Sequence, residues 1–345
     1  MRIPSYGYDE TRRIDAGVLL AIAAWLIFNS HTEAFHPYPW LAADGMLGNS
    51  LFYFISGFGI QSSLGARRQG FPEFAARRLL RIYVTLLIVV IAYHLTIMRD
   101  AKLDPQQAFA TFIYPTSYTY IKVILPCYAA LWVLHRTSIK LHLLSVGVAL
   151  ALMAGAYAEH TFIQSQPEKL VLGQLPELLW NSYFWILVAS GALCAQLKIG
   201  AKLSLARMLL VGMTLAAYFG LKFLIIVENR FAALYPVLFL LVLAACILSL
   251  VTFGAPLWVR RAMQLPVLGP FLSVSSALTL EIYLVHEPLT HVAAIYSLPY
   301  PVNLAALMGL TLPLAIAVGL VSSNVQRFVD RKFLSRKKSV GDANS

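Results

Sequence analysis

The chain has 345 residues, of which 59% are hydrophobic and only 12% are charged, and its mean hydropathy is +0.70. This composition lies outside the range of soluble globular domains and indicates an integral membrane protein. The net charge is +11, but the basic residues are spread over short loops and a tail, which favours contact with anionic membrane lipid and argues against nucleic-acid binding.

The apolar runs have the length of membrane-crossing helices. Runs of about 17 to 25 residues match a hydrocarbon core of ~30 Å, whereas barrel strands would alternate over ~10 residues. The sequence therefore predicts an all-α integral membrane protein. Ten transmembrane helices are predicted, at residues 14–31, 47–64, 80–98, 119–135, 141–158, 181–197, 205–226, 231–252, 270–292 and 302–322.

The distribution of lysine and arginine predicts the orientation of the bundle. Cytoplasmic loops carry an excess of these residues, and ten spans with a cytoplasmic N-terminus place 21 of the 27 basic residues on that side. Both termini are therefore predicted to be cytoplasmic. We expect residues 1–325 to form one membrane domain and residues 326–345 to form a basic cytoplasmic tail that faces lipid.

The first predicted span ends at His31. An ionisable side chain at membrane depth is costly to hold, so His31 favours chemistry or transport at this position. The loop that follows contains Glu33, His36 and Asp44 but no Lys or Arg, and a carboxylate there could orient the imidazole and raise its basicity. The open alternative is a histidine that only hydrogen-bonds a neighbouring helix.

Small residues lie in the second predicted span, at Ser56, Gly57 and Gly59. They permit the close approach of a neighbouring helix or of a thin ligand, and helix packing explains them as well as a substrate tunnel does.

Three arginines precede the third predicted span. Arg77, Arg78 and Arg81 lie in residues 71–83, which we interpret as a short interfacial helix. Arg77 and Arg81 share a helical face, and two guanidiniums on one face form a multidentate site for phosphate or carboxylate. The alternative is that they set the topology and anchor the chain to lipid.

The ninth predicted span carries Glu281, His286 and Glu287. Helical spacing places Glu281 almost opposite Glu287, so Glu281 and His286 need not point the same way. At least one of them should face a polar cavity, because lipid exposure is costly. No spacing of His, Cys, Asp and Glu predicts a metal site.

Taken in order, these residues resemble the membrane acyltransferase family 3, the multi-span bacterial enzymes that O-acylate cell-envelope and exported glycans. The resemblance covers most of the chain. It rests on Asp15 and His31 and then on residues 45–58, 74–83 and 282–289.

Two positions depart from the family pattern. The family commonly has an arginine eleven residues before the catalytic histidine, where this chain has Leu20, and a proline where it has Val84. Either Arg13 takes the role of that arginine from a different depth, or the pocket is built differently.

The resemblance implies an acyl-coenzyme A donor, with acetyl-CoA as the choice by frequency alone, bound from the cytoplasmic side of a bacterial inner membrane. It implies transfer to a hydroxyl of a glycan or lipid-linked saccharide on the far side, with His31 as general base and Glu33 as the group that orients it. The implied donor-binding residues are Arg13, Arg77, Arg78 and Arg81. The implied pocket residues are Asp15, Ser56, Glu281 and His286.

Two other functions remain open from the sequence. In a transporter or glycan-export component, His31, Glu281 and His286 would form a proton or substrate path. In a non-catalytic scaffold, the same fold would carry no reaction. Oligomeric state is not predicted.

Overall fold

A computed structural model of the chain describes residues 13–38, 41–42, 45–66, 70–97, 104–113, 115, 118–159, 176–227, 231 and 234–334. Within these ranges every regular element is helical. The α-helices are α1 Gly17–Ser30, α2 Gly45–Ala66, α3 Phe71–Thr96, α4 Pro105–Ala108, α5 Thr119–His135, α6 Ile139–Ala158, α7 Glu177–Gln196, α8 Leu205–Val227, α9 Tyr235–Phe253, α10 Pro256–Met263, α11 Leu268–Ala277, α12 Thr279–Thr290, α13 Ala293–Tyr296 and α14 Val302–Val329.

Each predicted span coincides with a helix or a bent helix pair. Six helices of the described chain are long and apolar enough to cross a membrane, namely α3, α6, α7, α8, α9 and α14, and the bent pair α11 and α12 makes a seventh if it is one span. The other predicted spans fall on α2 and on α1 and α5, which have 14 and 17 residues. The all-helical, multi-span membrane architecture is confirmed. The count of ten and the cytoplasmic termini stay predictions.

Two predicted elements have different shapes in the structure. The ninth span is not one straight helix, because α11 and α12 meet at an angle of 87°. The predicted interfacial helix at residues 71–83 is the first half of α3, which continues without a break to Thr96. The three arginines of this segment are therefore held rigidly by a helix of 26 residues.

Helices α2 and α7 cross in backbone contact. A Cβ atom at Gly57 would lie 1.9 Å from the Val188 carbonyl oxygen, and one at Gly191 would lie 1.9 Å from the Phe54 carbonyl oxygen, whereas a Cβ at Gly59 would meet nothing within 4 Å. Close helix packing thus accounts for Gly57.

The last helix runs past the predicted domain boundary to Val329, and a π-helical turn at Asp330–Leu334 follows it. The rest of the predicted basic tail lies outside the described residues, as do Asp44 and the chain before Arg13.

Candidate active site

A cavity of about 1070 Å³ lies between α1, α2, α3, α5 and the end of α7. Five cationic side chains line it, and no Asp or Glu is among its described lining residues. A concave surface lined by charges of one sign concentrates the opposite charge. We call this region the arginine end; its cations are Arg13, Arg77, Arg78, Arg81 and Lys198.

The three arginines of α3 face this cavity together, but their protein partners differ. Arg77 pairs with Glu73 at 3.0 Å, with Asp330 farther away at 3.8 Å. Arg78 donates a hydrogen bond to the Ser63 hydroxyl. Of the three, Arg78 is therefore the one with a neutral hydrogen-bond partner.

Arg81 binds Glu281 through two hydrogen bonds. Its Nη1 and Nη2 atoms lie 2.6 and 3.0 Å from Oε1 and Oε2 of Glu281. The Glu281 carboxylate is fully buried, whereas the Arg81 side chain is 38% exposed and lines the cavity. This bidentate pair explains how Glu281 is held at membrane depth. It also fastens α12 to α3.

Asp15 lies beside the cavity but is not among its lining residues. The carboxylate is buried, and its Oδ1 atom accepts a hydrogen bond of 2.9 Å from the Gly17 backbone N–H at the start of α1. Its Oδ2 atom has no hydrogen-bond partner in the described chain. The contact satisfies one of the free N–H groups at the beginning of a helix, so the visible role of Asp15 is to cap α1.

His31 lies at the opposite end of α1, a helix of 14 residues that is about 21 Å long at 1.5 Å per residue. It caps the C-terminus of α1, and its side chain is exposed. Its ring centroid is 5.0 Å from that of His286, with 77° between the ring planes. His286 itself is only 1% exposed. The structure therefore brings together two imidazoles that are 255 positions apart in sequence.

The two nearby glutamates differ in their relation to His31. Glu287 forms no hydrogen bond or ion pair with His31 in the described chain, and it acts on the imidazole only through its charge at longer range. Glu33 is exposed at the start of a short 3-10 turn, and within the described chain no hydrogen bond or ion pair joins it to His31. We call His31, His286 and Glu287 the histidine end.

Comparison with known proteins identifies the family. A family model for an acyltransferase domain, that of the acyltransferase 3 family, matches residues 18–322, which include both histidines and the three arginines of α3. The chain belongs to the acyltransferase 3 family. It is therefore a multi-span membrane protein of an acyltransferase family. No curated protein and no solved structure matches the chain.

In this acyltransferase, the position of the missing family arginine faces the cavity. Leu20 lines the cavity together with Arg13. Among the described residues, the Arg13 Nη1 atom donates one long hydrogen bond of 3.5 Å, to the Lys198 carbonyl oxygen. A guanidinium at Arg13 therefore faces the same space that an arginine at position 20 would face.

Aromatic rings connect the two ends of the site. Tyr120 lines the cavity, and its hydroxyl lies 2.9 Å from the Ser56 hydroxyl. The Tyr120 ring is 5.9 Å from the Tyr283 ring, which is 6.1 Å from the His286 ring. Phe52 lies 4.3 Å from Tyr120, with 33° between the ring planes. These rings form a chain of contacts from the cavity wall to His286.

Sequence reasoning missed both tyrosines and the role of Glu287. Tyr283 lies three positions before His286, so its place on the same helical face was a usable signal. Tyr120 lies in another helix and carries no local signal. Helical spacing separates Glu287 from Glu281, but only the position of α12 beside α1 shows that the Glu287 charge is the one that acts on His31.

Proposed function

We propose that the protein is an O-acyltransferase that moves an acyl group, acetyl being the most frequent choice, from acyl-coenzyme A to a hydroxyl of a cell-surface or exported polysaccharide or its lipid-linked precursor. The observation that carries this proposal is the cationic cavity at the arginine end, connected by aromatic rings to a histidine pair about one helix length away.

The cavity suits the donor in size and charge. Coenzyme A carries a ribose phosphate and a diphosphate, and guanidinium groups bind such oxygens through paired hydrogen bonds. A volume of about 1070 Å³ is at the upper end of ordinary ligand pockets, as a large cofactor requires. Arg13, Arg78 and Lys198 are the strongest donor-binding candidates, because Arg77 and Arg81 already pair with carboxylates.

The charge distribution supports a cytoplasmic position for the arginine end, because lysine and arginine gather on that side of a membrane. Acyl-coenzyme A would then enter from the cytoplasm. The histidine end would face the opposite side of a bacterial inner membrane, where the acceptor glycan is found.

In the reaction, His31 takes the proton of the acceptor hydroxyl as its oxygen attacks the thioester carbonyl carbon. The carbon–sulfur bond breaks, the new ester forms, and the coenzyme A thiolate leaves and receives a proton. A positioned general base contributes about 10² to 10⁴ in rate. The exposed His31 is reachable by an acceptor, while its neighbour His286 is not.

The test is acyl-coenzyme A turnover by the purified protein in liposomes with a mixture of candidate glycan acceptors. We expect His31→Ala to abolish turnover and to retain donor binding. His291→Ala is the matched control, because His291 is also exposed and also caps the C-terminus of a helix. Full turnover by His31→Ala would remove His31 from the mechanism, and proton-gradient-dependent flux without an acyl donor would favour a transporter.

A further inference from the structure

We propose that His286 is the positioning residue for His31. In this arrangement the Nε2 atom of His286 accepts the ring N–H of His31, so that the other His31 nitrogen stays free to take the proton of the acceptor hydroxyl. The inference rests on the function proposed above and adds a second histidine to it.

The hydrogen bonding of His286 determines which of its nitrogens carries the hydrogen. Its Nδ1 atom lies 2.9 Å from the Ile282 carbonyl oxygen. A carbonyl oxygen can only accept, so Nδ1 must be the donor. In the neutral ring the lone pair is then on Nε2, and the backbone of α12 holds it in that state.

The Nε2 atom of His286 is buried and has no hydrogen-bond partner in the described part of the chain. Buried polar atoms are nearly always hydrogen-bonded, and an exception requires an explanation. The rings of Phe28 and Tyr283 lie 5.8 and 6.1 Å from the His286 ring. Phe28 has no polar hydrogen, and the Tyr283 hydroxyl lies against the Tyr120 backbone N–H. His31, at 5.0 Å, is therefore the nearest ring with an N–H to donate.

The distance between the two histidines fits such a bond. Each ring nitrogen lies about 1 Å from its ring centroid and a hydrogen bond between nitrogens spans about 3 Å. The observed centroid separation is 5.0 Å with the rings nearly perpendicular. Because His286 is fixed by Ile282, the exposed His31 ring is the one that would turn to point its N–H at Nε2.

This bond would select the reactive form of His31. With one nitrogen donating to His286, the other keeps its lone pair and acts as the base. When the acceptor O–H bond breaks, the proton forms a new N–H bond on His31. The imidazolium then keeps its bond to His286, and the charge of Glu287 acts favourably on it. An orienting partner of this kind is a recurrent part of general-base sites.

The test combines steady-state kinetics with NMR of the histidine ring nitrogens. We expect His286→Leu to lower kcat about 100-fold, while the KM for the donor stays within about twofold of the wild-type value. The reason is that proton transfer in the transition state is impaired while donor binding is not. His286→Gln has an amide oxygen that can accept the His31 N–H, so its kcat should be about tenfold higher than that of His286→Leu. The chemical shifts of the His31 ring nitrogens should differ between the wild type and the His286→Leu variant.

His142→Leu is the matched control. His142 is equally buried, its Nδ1 atom is bonded to Gln196, and its Nε2 atom also lacks a partner in the described chain, but it has no part in the proposed site. We expect it to leave kcat unchanged. A His286→Leu variant with the kcat of His142→Leu, or with equal losses in folding and in donor binding, would overturn the proposal.

The NMR measurement distinguishes a failure of this inference from a failure of the proposed function. If no acceptor gives turnover but the His31 signals shift on His286→Leu, the histidine pair exists and the reaction assignment fails. If turnover depends on His31 while its ring signals do not respond to His286, the function stands and the pairing is wrong.

Discussion

The arginine end and the histidine end differ in how their polar side chains are partnered. At the arginine end, the three arginines of α3 each have a protein partner, and they surround a large cavity. At the histidine end, a buried nitrogen has no hydrogen-bond partner in the described chain, and an exposed imidazole lies beside it. The first arrangement is suited to holding an anion. The second is suited to orienting the exposed imidazole, whose other nitrogen can then take a proton.

The two ends are joined mechanically by the Arg81–Glu281 pair, because Glu281 and His286 lie on the same short helix α12. Removing one partner of a buried ion pair leaves an uncompensated charge and costs about 3 to 5 kcal/mol. We expect this cost for Arg81→Met, which leaves the fully buried Glu281 carboxylate without its cationic partner. Glu281→Gln should cost less, because the Arg81 side chain is 38% exposed and can be hydrated from the cavity.

Thermal unfolding in detergent measures this asymmetry. The double variant Arg81→Met with Glu281→Gln should be more stable than Arg81→Met alone, because it no longer has the unpaired charge of Glu281. Equal melting temperatures for the two single variants would contradict this asymmetry, and variants as stable as the wild type would show that the pair does not fasten α12 to α3.

The crossing of α2 and α7 holds the wall of the cavity. A Cβ at Gly57 would lie 1.9 Å from the Val188 carbonyl oxygen, so the helices must separate in Gly57→Ala. We expect a loss of about 1 to 3 kcal/mol, the usual cost of overpacking, together with weaker donor binding. Gly59→Ala is the control in the same helix, because a Cβ there meets nothing within 4 Å. A melting temperature for Gly57→Ala equal to that of Gly59→Ala would contradict the tight crossing.

The sequence predicted the local features of both ends but not their long-range contacts. Hydropathy located the helices, and helical spacing placed the arginines of α3 together, because both depend on neighbouring residues. The pairing of Arg81 with Glu281 joins residues 200 positions apart. It depends on the 87° bend between α11 and α12. The residue at this bend is Leu278, and without a proline or glycine there the sequence does not predict the bend. The nearness of His286 to His31 follows from the same bend, and for that reason local reasoning missed it.

The missing family arginine offers a test of how the arginine end binds its donor. Leu20 and Arg13 line the same cavity. We expect Arg13→Ala to weaken donor binding about tenfold, or about 1.4 kcal/mol, with little change in melting temperature. Adding Leu20→Arg to that variant should restore most of the affinity, since it returns a guanidinium to the cavity.

The control for this rescue is Leu20→Gln in the Arg13→Ala background, which adds polarity without charge. Calorimetric titration with coenzyme A at low and high salt measures both effects, and the restored affinity should weaken with salt. If Leu20→Gln rescues as well as Leu20→Arg, charge at this position is not what the donor requires.

The smallest effect concerns the two glutamates of the histidine end. Neither glutamate has a hydrogen bond or ion pair with His31 in the described chain, but the half-buried Glu287 acts on it through its charge, whereas Glu33 is exposed. Exposed charges without a fixed partner contribute little. We therefore expect Glu287→Gln to lower kcat about fivefold and Glu33→Gln to change it less than about twofold, because only the first removes a charge that stabilises the His31 imidazolium.

Turnover measured side by side for the two variants decides which carboxylate serves His31. If Glu33→Gln lost more activity than Glu287→Gln, the loop after α1 would have to close over His31 during the reaction. The histidine end would then be assembled only when the acceptor binds, in contrast to the arginine end, whose contacts are already formed.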